Sequence, residues 1–483
     1  MKKTAILLPV SLLFSIVLMG QTLISSTYKG SKSKNQLISQ FGIPFIQYGA
    51  KYYKITYTSP DVHGVQDTMS GLLVIPDNTT KTYPRLVYQH GTSDCKTCVP
   101  SRYGSTGGGE GEVGLLCAGM GYVSLLPDYA GMGDARGFHP YVHAATEASA
   151  AADMLRASLT WTAQNNVAIN DQIFITGYSQ GGHASMALHR YVDTDPLEEM
   201  AVTAAAHNSG PYSISGVMGG LIQGSGVYFY PAYIPNTVLG YQTAYGNLYD
   251  SLAQVFKPAY IPKIQQYYNG TISLSSLNSS LIQLLVQQTG ASVPGRILQD
   301  SILTILASQP QHPLNIALRD NDLYNWSTDV PTRIFYCTAD DQVPYTNSII
   351  ARDTMTANGS TNLQAIDVNP NANHGSCYNP AMTQTLLFFA NYQQITTGQQ
   401  DLAERMDITL SPNPANDVVT LKGVPDGSNI ELYDMEGQLL WHKTSVPAAQ
   451  QRYETHQLPV GNYLMRIMAP NGQVMHRQLV IVR

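Results

Sequence analysis

From about Lys51 the chain alternates polar and apolar residues with the two-residue period of a strand, as in Tyr53-Lys54-Ile55-Thr56-Tyr57. An apolar run over residues 70–75 is closed by Pro76, and a β-rich run over 85–89 ends at His90-Gly91. Residues 121–126 form another, ending at Pro127-Asp128. The Ala-rich stretch 143–164 then changes period and predicts an amphipathic helix. A strand over 172–176, a helix over 181–192 and a strand over 202–206 follow. Strands that alternate with helices predict a mostly parallel sheet with helices on both faces.

After Gly210-Pro211 the alternation stops. Residues 212–330 are rich in Tyr, Gln, Leu, Ile, Ser and Gly, and about 120 residues is too long for a loop in a compact domain. This segment is expected to be a helical cap inserted into the sheet domain, or else a plain packing subdomain. The pattern resumes with strands at 332–337 and 363–368 and helices at 345–357 and 382–392. Polar residues 393–400 read as a linker. From about Ile408 short strands, including 430–434, 463–467 and 478–482, are separated by turns at Gly437, Gly461 and Asn471-Gly472. That pattern suits a small β-sandwich.

The chain's 483 residues fit one large domain with an appendage, and 43% hydrophobic residues can fill a sizeable core. A net charge of −6 supplies no basic field for nucleic acid or anionic membranes. Lys2 and Lys3 precede an apolar stretch to Met19 and the small Gly20, the layout of a secretory signal peptide over residues 1–20. No other run is long enough for an integral membrane span.

Five cysteines in an exported chain suggest disulfides and one leftover thiol. The Cys95-x-x-Cys98 pair lacks a second ligand pair at zinc spacing, so a structural bridge from Cys95 or Cys98 to Cys117 is expected. The Asp128–Asp134 loop with His139 and His143 carries ligand-type residues, but Gly-rich turns use such residues for turn chemistry. Neither a metal nor an organic cofactor is expected.

Gly177-Tyr178-Ser179-Gln180-Gly181 has the Gly-x-Ser-x-Gly form of a strained strand-to-helix turn. Alone it is a weak signal, but the strand before it and the helix after it supply the right context. Such a turn lifts a serine oxygen above the carboxyl edge of the sheet. A serine hydroxyl needs a base, and the base needs an acid to fix its tautomer. In chain order the acid comes next, from Asp340-Asp341 after a predicted strand, and the base last, from His374 after the following strand. Asp340 or Asp341 could face His374; Asp340, which begins an Asp-x-x-Val-Pro pattern, is the expected acid. Two N–H donors must converge on the developing oxyanion, and Gln180 and Thr92 are the candidates. A Cys337–Cys377 bridge would pin the acid and base loops together.

These residues carry a resemblance. His90-Gly91-Thr92, Pro127-Asp128-Tyr129-Ala130-Gly131-Met132-Gly133, Gly177-Tyr178-Ser179-Gln180-Gly181-Gly182, Ala339-Asp340-Asp341-Gln342-Val343-Pro344 and Asn373-His374-Gly375 are similar to the secretory lipase and esterase branch of the α/β-hydrolases. The resemblance implies hydrolysis of a small-molecule or lipid ester through Ser179, with the cap shaping the acyl or alcohol pocket. The Cys95–Cys98 segment and Gly107-Gly108-Gly109 depart from it. The last residues, through Leu410-Ser411-Pro412-Asn413-Pro414, Leu432-Tyr433-Asp434 and Leu458-Pro459-Val460-Gly461-Asn462-Tyr463, resemble the type A C-terminal sorting domain of exported Bacteroidetes proteins. That implies the type IX export machinery as a partner, removal of the domain, and a secreted or cell-surface location. An ordinary carbohydrate- or surface-binding β-module is the alternative there. The expected layout is a signal peptide over 1–20, a catalytic domain over 21–400 and a sorting domain over 406–483. A serine peptidase or amidase of the same fold, and a non-catalytic surface-binding protein, are the rival functions.

Overall fold

A computed structural model describes residues 23–105, 109–194, 200–396, 408–435, 437–445, 450–470 and 474–483. The expected signal peptide, Gly107-Gly108, the end of the linker, the domain start at 406 and the Asn471-Gly472 turn lie outside the described residues. Among the described residues the main sheet has nine strands: β1 (Leu23–Lys32), β2 (Ala50–Pro60), β3 (Gln66–Pro76), β4 (Tyr83–Gln89), β5 (Val123–Pro127), β6 (Ile169–Tyr178), β7 (Ala204–Asn208), β8 (Thr332–Tyr336) and β9 (Leu363–Asp367). Their order is β1-β2-β3-β5-β4-β6-β7-β8-β9. The first three strands and the β3–β5 pair run antiparallel; every pair from β5 through β9 is parallel.

Alternate residues of the central strands feed two cores, one on each face. Val87, Leu125, Ile173 and Ile175 pack against Ala150, Ala151, Met154, Leu155 and Trp161 of the helix Ala144–Gln164. Leu86, Tyr88, Leu126 and Phe174 face the opposite layer, with Leu115 of the helix Gly111–Gly119 and Phe388 and Phe389 of the helix His374–Ala390. Burial on both faces is why these strands read as apolar runs rather than clean alternation. The chain leaves β4 for β5 on one side, then returns through the long helix to β6 on the other. Beside the carboxyl end of β4 this reversal opens a crevice, the place where open α/β sheets bind ligands.

Between β7 and β8 the chain forms the cap, a set of helical segments from Ile214–Met218 to Pro313–Asp320. Its Tyr, Leu and Ile residues fill a core of their own, in which Tyr241, Phe256, Leu277, Leu281 and Ile297 are fully buried. At the C-terminus, β10 (Thr409–Ser411), β11 (Val418–Lys422) and β14 (Gln450–Glu454) form one antiparallel sheet. β13 (Leu439–Thr444), β12 (Asn429–Tyr433), β15 (Gly461–Met468) and β16 (Val474–Ile481) form the other. Val419, Leu421, Ile430, Leu432, Met465 and Ile467 are buried between them.

The cysteines pair differently from one expectation. Cys95 joins Cys98, while Cys117 is free. Cys117 lies buried on the core face of the helix Gly111–Gly119, and Cys95 and Cys98 are bonded to each other, so no bridge to it forms. Cys337 and Cys377 are bridged as expected, with Cα atoms 6.0 Å apart. The last helix of the sheet domain also begins earlier than the pattern suggests, at His374 rather than Met382. Gly375 and Pro380 read as breakers, yet Asn373 caps the helix by accepting the Ser376 N–H at 2.9 Å, and Pro380 is carried inside it.

Candidate active site

β6 ends at Tyr178, and the helix Gln180–Thr194 starts at once, leaving Ser179 alone at the turn. Its φ is 61°, the left-handed region that a side chain bearing a Cβ rarely adopts. The flanking glycines are required by contact. A Cβ on Gly177 would strike the carbonyl oxygen of Gly181, and one on Gly181 would strike that of Gln89 in β4. The Ser179 N–H donates to Asn208 O at 3.0 Å, which fixes the turn to β7. Ser179 therefore stands beyond the carboxyl edge of the sheet, in front of a helix whose first N–H groups have no partner within that helix.

Asp340 and His374 come from the loops after β8 and β9. Asp340 Oδ1 accepts the N–H groups of Gln342 (3.0 Å) and Val343 (2.8 Å), and its Oδ2 meets His374 Nδ1 at 2.7 Å. The two side chains are 1% and 7% exposed, so this pair is shielded from water. Using Nδ1 for the carboxylate leaves Nε2 as the nitrogen able to take a proton. Asp341 does not reach the ring; its Oδ1 accepts the backbone N–H of His374 at 3.1 Å. The Cys337–Cys377 bridge joins the loop before Asp340 to the first turn of the helix that starts at His374. Tyr178, one residue before Ser179, donates its hydroxyl to His374 O at 2.5 Å, and its ring lies 5.0 Å from the imidazole. Acid and base thus meet directly, and the elbow reaches the base through Tyr178.

Thr92 and Gln180 border a common open cleft. The Thr92 hydroxyl is hydrogen-bonded to Tyr141 at 2.9 Å. The preceding residue is held at both of its backbone groups: Gly91 N–H donates to the Glu110 carboxylate at 3.0 Å, and His90 Nδ1 sits 2.7 Å from Gly91 O. The Gln180 side chain is anchored under the elbow, with Nε2 2.9 Å from Glu147 Oε1 and 2.8 Å from His139 Nε2. Burial pushes His139 down to about 4, so its ring is neutral at pH 7. Glu147 also meets His183 Nδ1 at 2.7 Å, while His183 Nε2 faces Asn321 O at 3.0 Å.

This network of Glu147, His139, His183 and Asn321 is not predicted from the sequence. One signal was present. Glu147 shares a helical face with the apolar Ala150, Ala151 and Met154, and a carboxylate on a core stripe needs partners. Asp128 holds its own loop: its carboxylate accepts from Ser70 Oγ at 2.6 Å and Ser101 N at 2.9 Å. Among the described residues no group of His, Cys, Asp and Glu is arranged to hold a metal ion.

Two cavities open from the elbow. A narrow one, lined by Ser179 and Gln180, runs into the cap between apolar side chains such as Ile214, Met218, Val238, Ile302 and Leu314. A wider, more polar cleft starts at Thr92, Gln180 and His139 and leads out past Asn236, Tyr267 and Asn269.

Residues 113–387, which include Ser179, Asp340 and His374 but not Thr92, match the family model of the secretory lipases. Residues 409–482 match that of the secretion system C-terminal sorting domain. Among curated proteins none matches the sequence. The rice cell wall degrading esterase LipA from Xanthomonas oryzae is 25% identical, with a TM-score of 0.66 over 76% of this chain and 96% of its own. Candida antarctica lipase A, at 16% identity and a TM-score of 0.56, shares the fold over 77% of this chain and 81% of its own. Among the described residues no helix is long and apolar enough to cross a membrane. Together the two family matches and the esterase fold make this a secreted or cell-surface hydrolase of the lipase/esterase type. The chain belongs to the secretory lipase family.

Proposed function

We propose that the protein hydrolyses carboxylic esters through an acyl-enzyme on Ser179. The observation that carries this is the shielded Asp340–His374 pair at the same sheet edge as a serine held at positive φ. Ser179 Oγ attacks the ester carbonyl while His374 Nε2 takes its proton, and Asp340 stabilises the imidazolium. The N–H groups of Thr92 and Gln180 hold the oxyanion. The alcohol leaves with the proton from His374, and water then repeats the sequence to free the acid. The apolar cavity beside Ser179 suits the acyl chain, and the polar cleft suits the alcohol and its exit. None of these steps requires a metal or organic cofactor.

Ser179→Ala should lower turnover at least about 10⁴-fold while the fold persists. Assay against p-nitrophenyl esters and aminoacyl-p-nitroanilides tests both the nucleophile and the bond cleaved. A folded Ser179→Ala protein with near-normal ester turnover ends this assignment, and preference for the anilides turns it into a peptidase or amidase.

The domain layout belongs to the same proposal: a signal peptide over 1–20, a catalytic domain over 21–400 with the cap at 212–330, and a sorting domain over 406–483 read by the type IX machinery. The mature protein should lack both ends. Intact-mass measurement on protein recovered outside the cell checks this, and a mass that retains the C-terminal module counts against removal.

A further inference from the structure

We infer that Asp341 is a positioning residue, which holds the helix bearing the catalytic base by its first N–H and links it to the cap. The inference rests on the reading of Ser179, Asp340 and His374 as the catalytic groups.

His374 is the first residue of the helix His374–Ala390, so its N–H is one of the donors that a helix cannot satisfy from within. The capping residue Asn373 does not serve it, because its side chain takes the N–H of Ser376. Asp341 Oδ1 does, at 3.1 Å. A carboxylate at this end of a helix also complements the dipole. Two adjacent carboxylates thus hold one histidine at two points: Asp340 sets the ring through Nδ1, and Asp341 sets the backbone from which the ring projects.

The second oxygen of Asp341 faces the cap. The Tyr230 hydroxyl donates to Asp341 Oδ2 at 3.4 Å. Burial and the neighbouring Asp341 charge push the Tyr230 pKa up, which keeps this hydroxyl a donor. Beside it, Tyr228 donates to Gln342 O at 2.9 Å and Tyr233 to Gln342 Oε1 at 2.8 Å. Three cap tyrosines therefore rest on the two residues that follow the acid. A cap seated in this way and a base held in register are parts of one hydrogen-bonded chain, from Tyr230 through Asp341 to His374.

The test is kinetic, on the full chain with a p-nitrophenyl ester. Asp341→Ala should lower kcat roughly 10- to 100-fold through misplacement of the base, with KM changed by no more than about twofold. Asp341→Asn keeps an oxygen acceptor for the His374 N–H and should stay within about threefold of the parent. Tyr230→Phe should lower kcat less than Asp341→Ala, and should add nothing in that background. Unchanged kcat in folded Asp341→Ala overturns the inference. Equal loss in the Ala and Asn variants also overturns it, since charge rather than the acceptor would then matter. If Asp341→Ala does not fold, Tyr230→Phe alone decides the cap link, which fails if its kcat equals that of the parent. Asp340→Asn and Ser179→Ala, run alongside, carry the underlying reading. Activity in those two removes the reading itself, whereas their inactivity beside a normal Asp341→Ala removes only the role of Asp341.

Discussion

The nucleophile and the base reach the same sheet edge by opposite means. Ser179 is placed largely by its immediate neighbours: glycines at 177 and 181 let the chain turn against β4, and one backbone bond, from the Ser179 N–H to Asn208 O, ties the turn to β7. His374 is placed from far along the chain. Asp340, Asp341, Tyr178 and Cys337, which is bonded to Cys377 in the first turn of the helix, all come from other segments. One half of the site is thus encoded in a few consecutive residues, and the other half depends on tertiary structure. Local damage should therefore harm the first half sharply, and the second half should fail by degrees.

The larger effect is expected at the elbow. Gly181→Ala drives a methyl group into the Gln89 carbonyl, a backbone atom that cannot give way, and should cost about 3 kcal/mol or more in stability. Chemical denaturation measures it. A variant as stable as the parent would mean that the strands can spread, and the elbow would not be locally fixed.

A smaller effect is expected at the base. Replacing Cys337 and Cys377 together by Ser opens a crosslink with a sequence separation of 40 and should cost about 2–4 kcal/mol. Turnover in the remaining folded protein should fall far less than it does for Ser179→Ala, because the hydrogen bonds to His374 persist. Melting curves and turnover at a temperature where both proteins are folded give the two numbers. Complete loss of activity in a folded double variant would make the disulfide, rather than the hydrogen bonds, the determinant of base position.

The same contrast explains what could be read from sequence. Gly-x-Ser-x-Gly between a strand and a helix is a contiguous pattern, so the elbow is legible without tertiary information. The order of acid and base, and the choice of Asp340 over Asp341 for the ring, follow from chain order and a short motif. The partner of Asp341 does not, since it is a backbone N–H whose availability depends on the helix beginning at His374. The helix start was obscured because Gly375 and Pro380 suggest an interruption that the Asn373 cap overrides. The cysteines show the limit most plainly: the sequence points to a bridge from Cys95 or Cys98 to Cys117, whereas Cys95 pairs with Cys98 and Cys117 stays buried and free, an outcome that depends on tertiary structure. Strand β1 and the helix Lys34–Phe41 leave little mark in the sequence because the exposed faces of an edge strand and a short helix carry little periodic signal.

The helix that begins with His374 is 17 residues long, and its other end is not free. Leu387 and Ala390 share a cluster with Tyr433 and Leu464 of the C-terminal module, and Arg477 donates to Asn391 O at 2.5 Å. At the usual rise, that helix puts about 25 Å between the imidazole's backbone and the docking point. The sheet domain packs along the whole of this rod, and the sorting domain takes hold only at the end farthest from the imidazole. The label rides at the rear of the reaction chamber, and none of its described residues lines either cavity at the elbow.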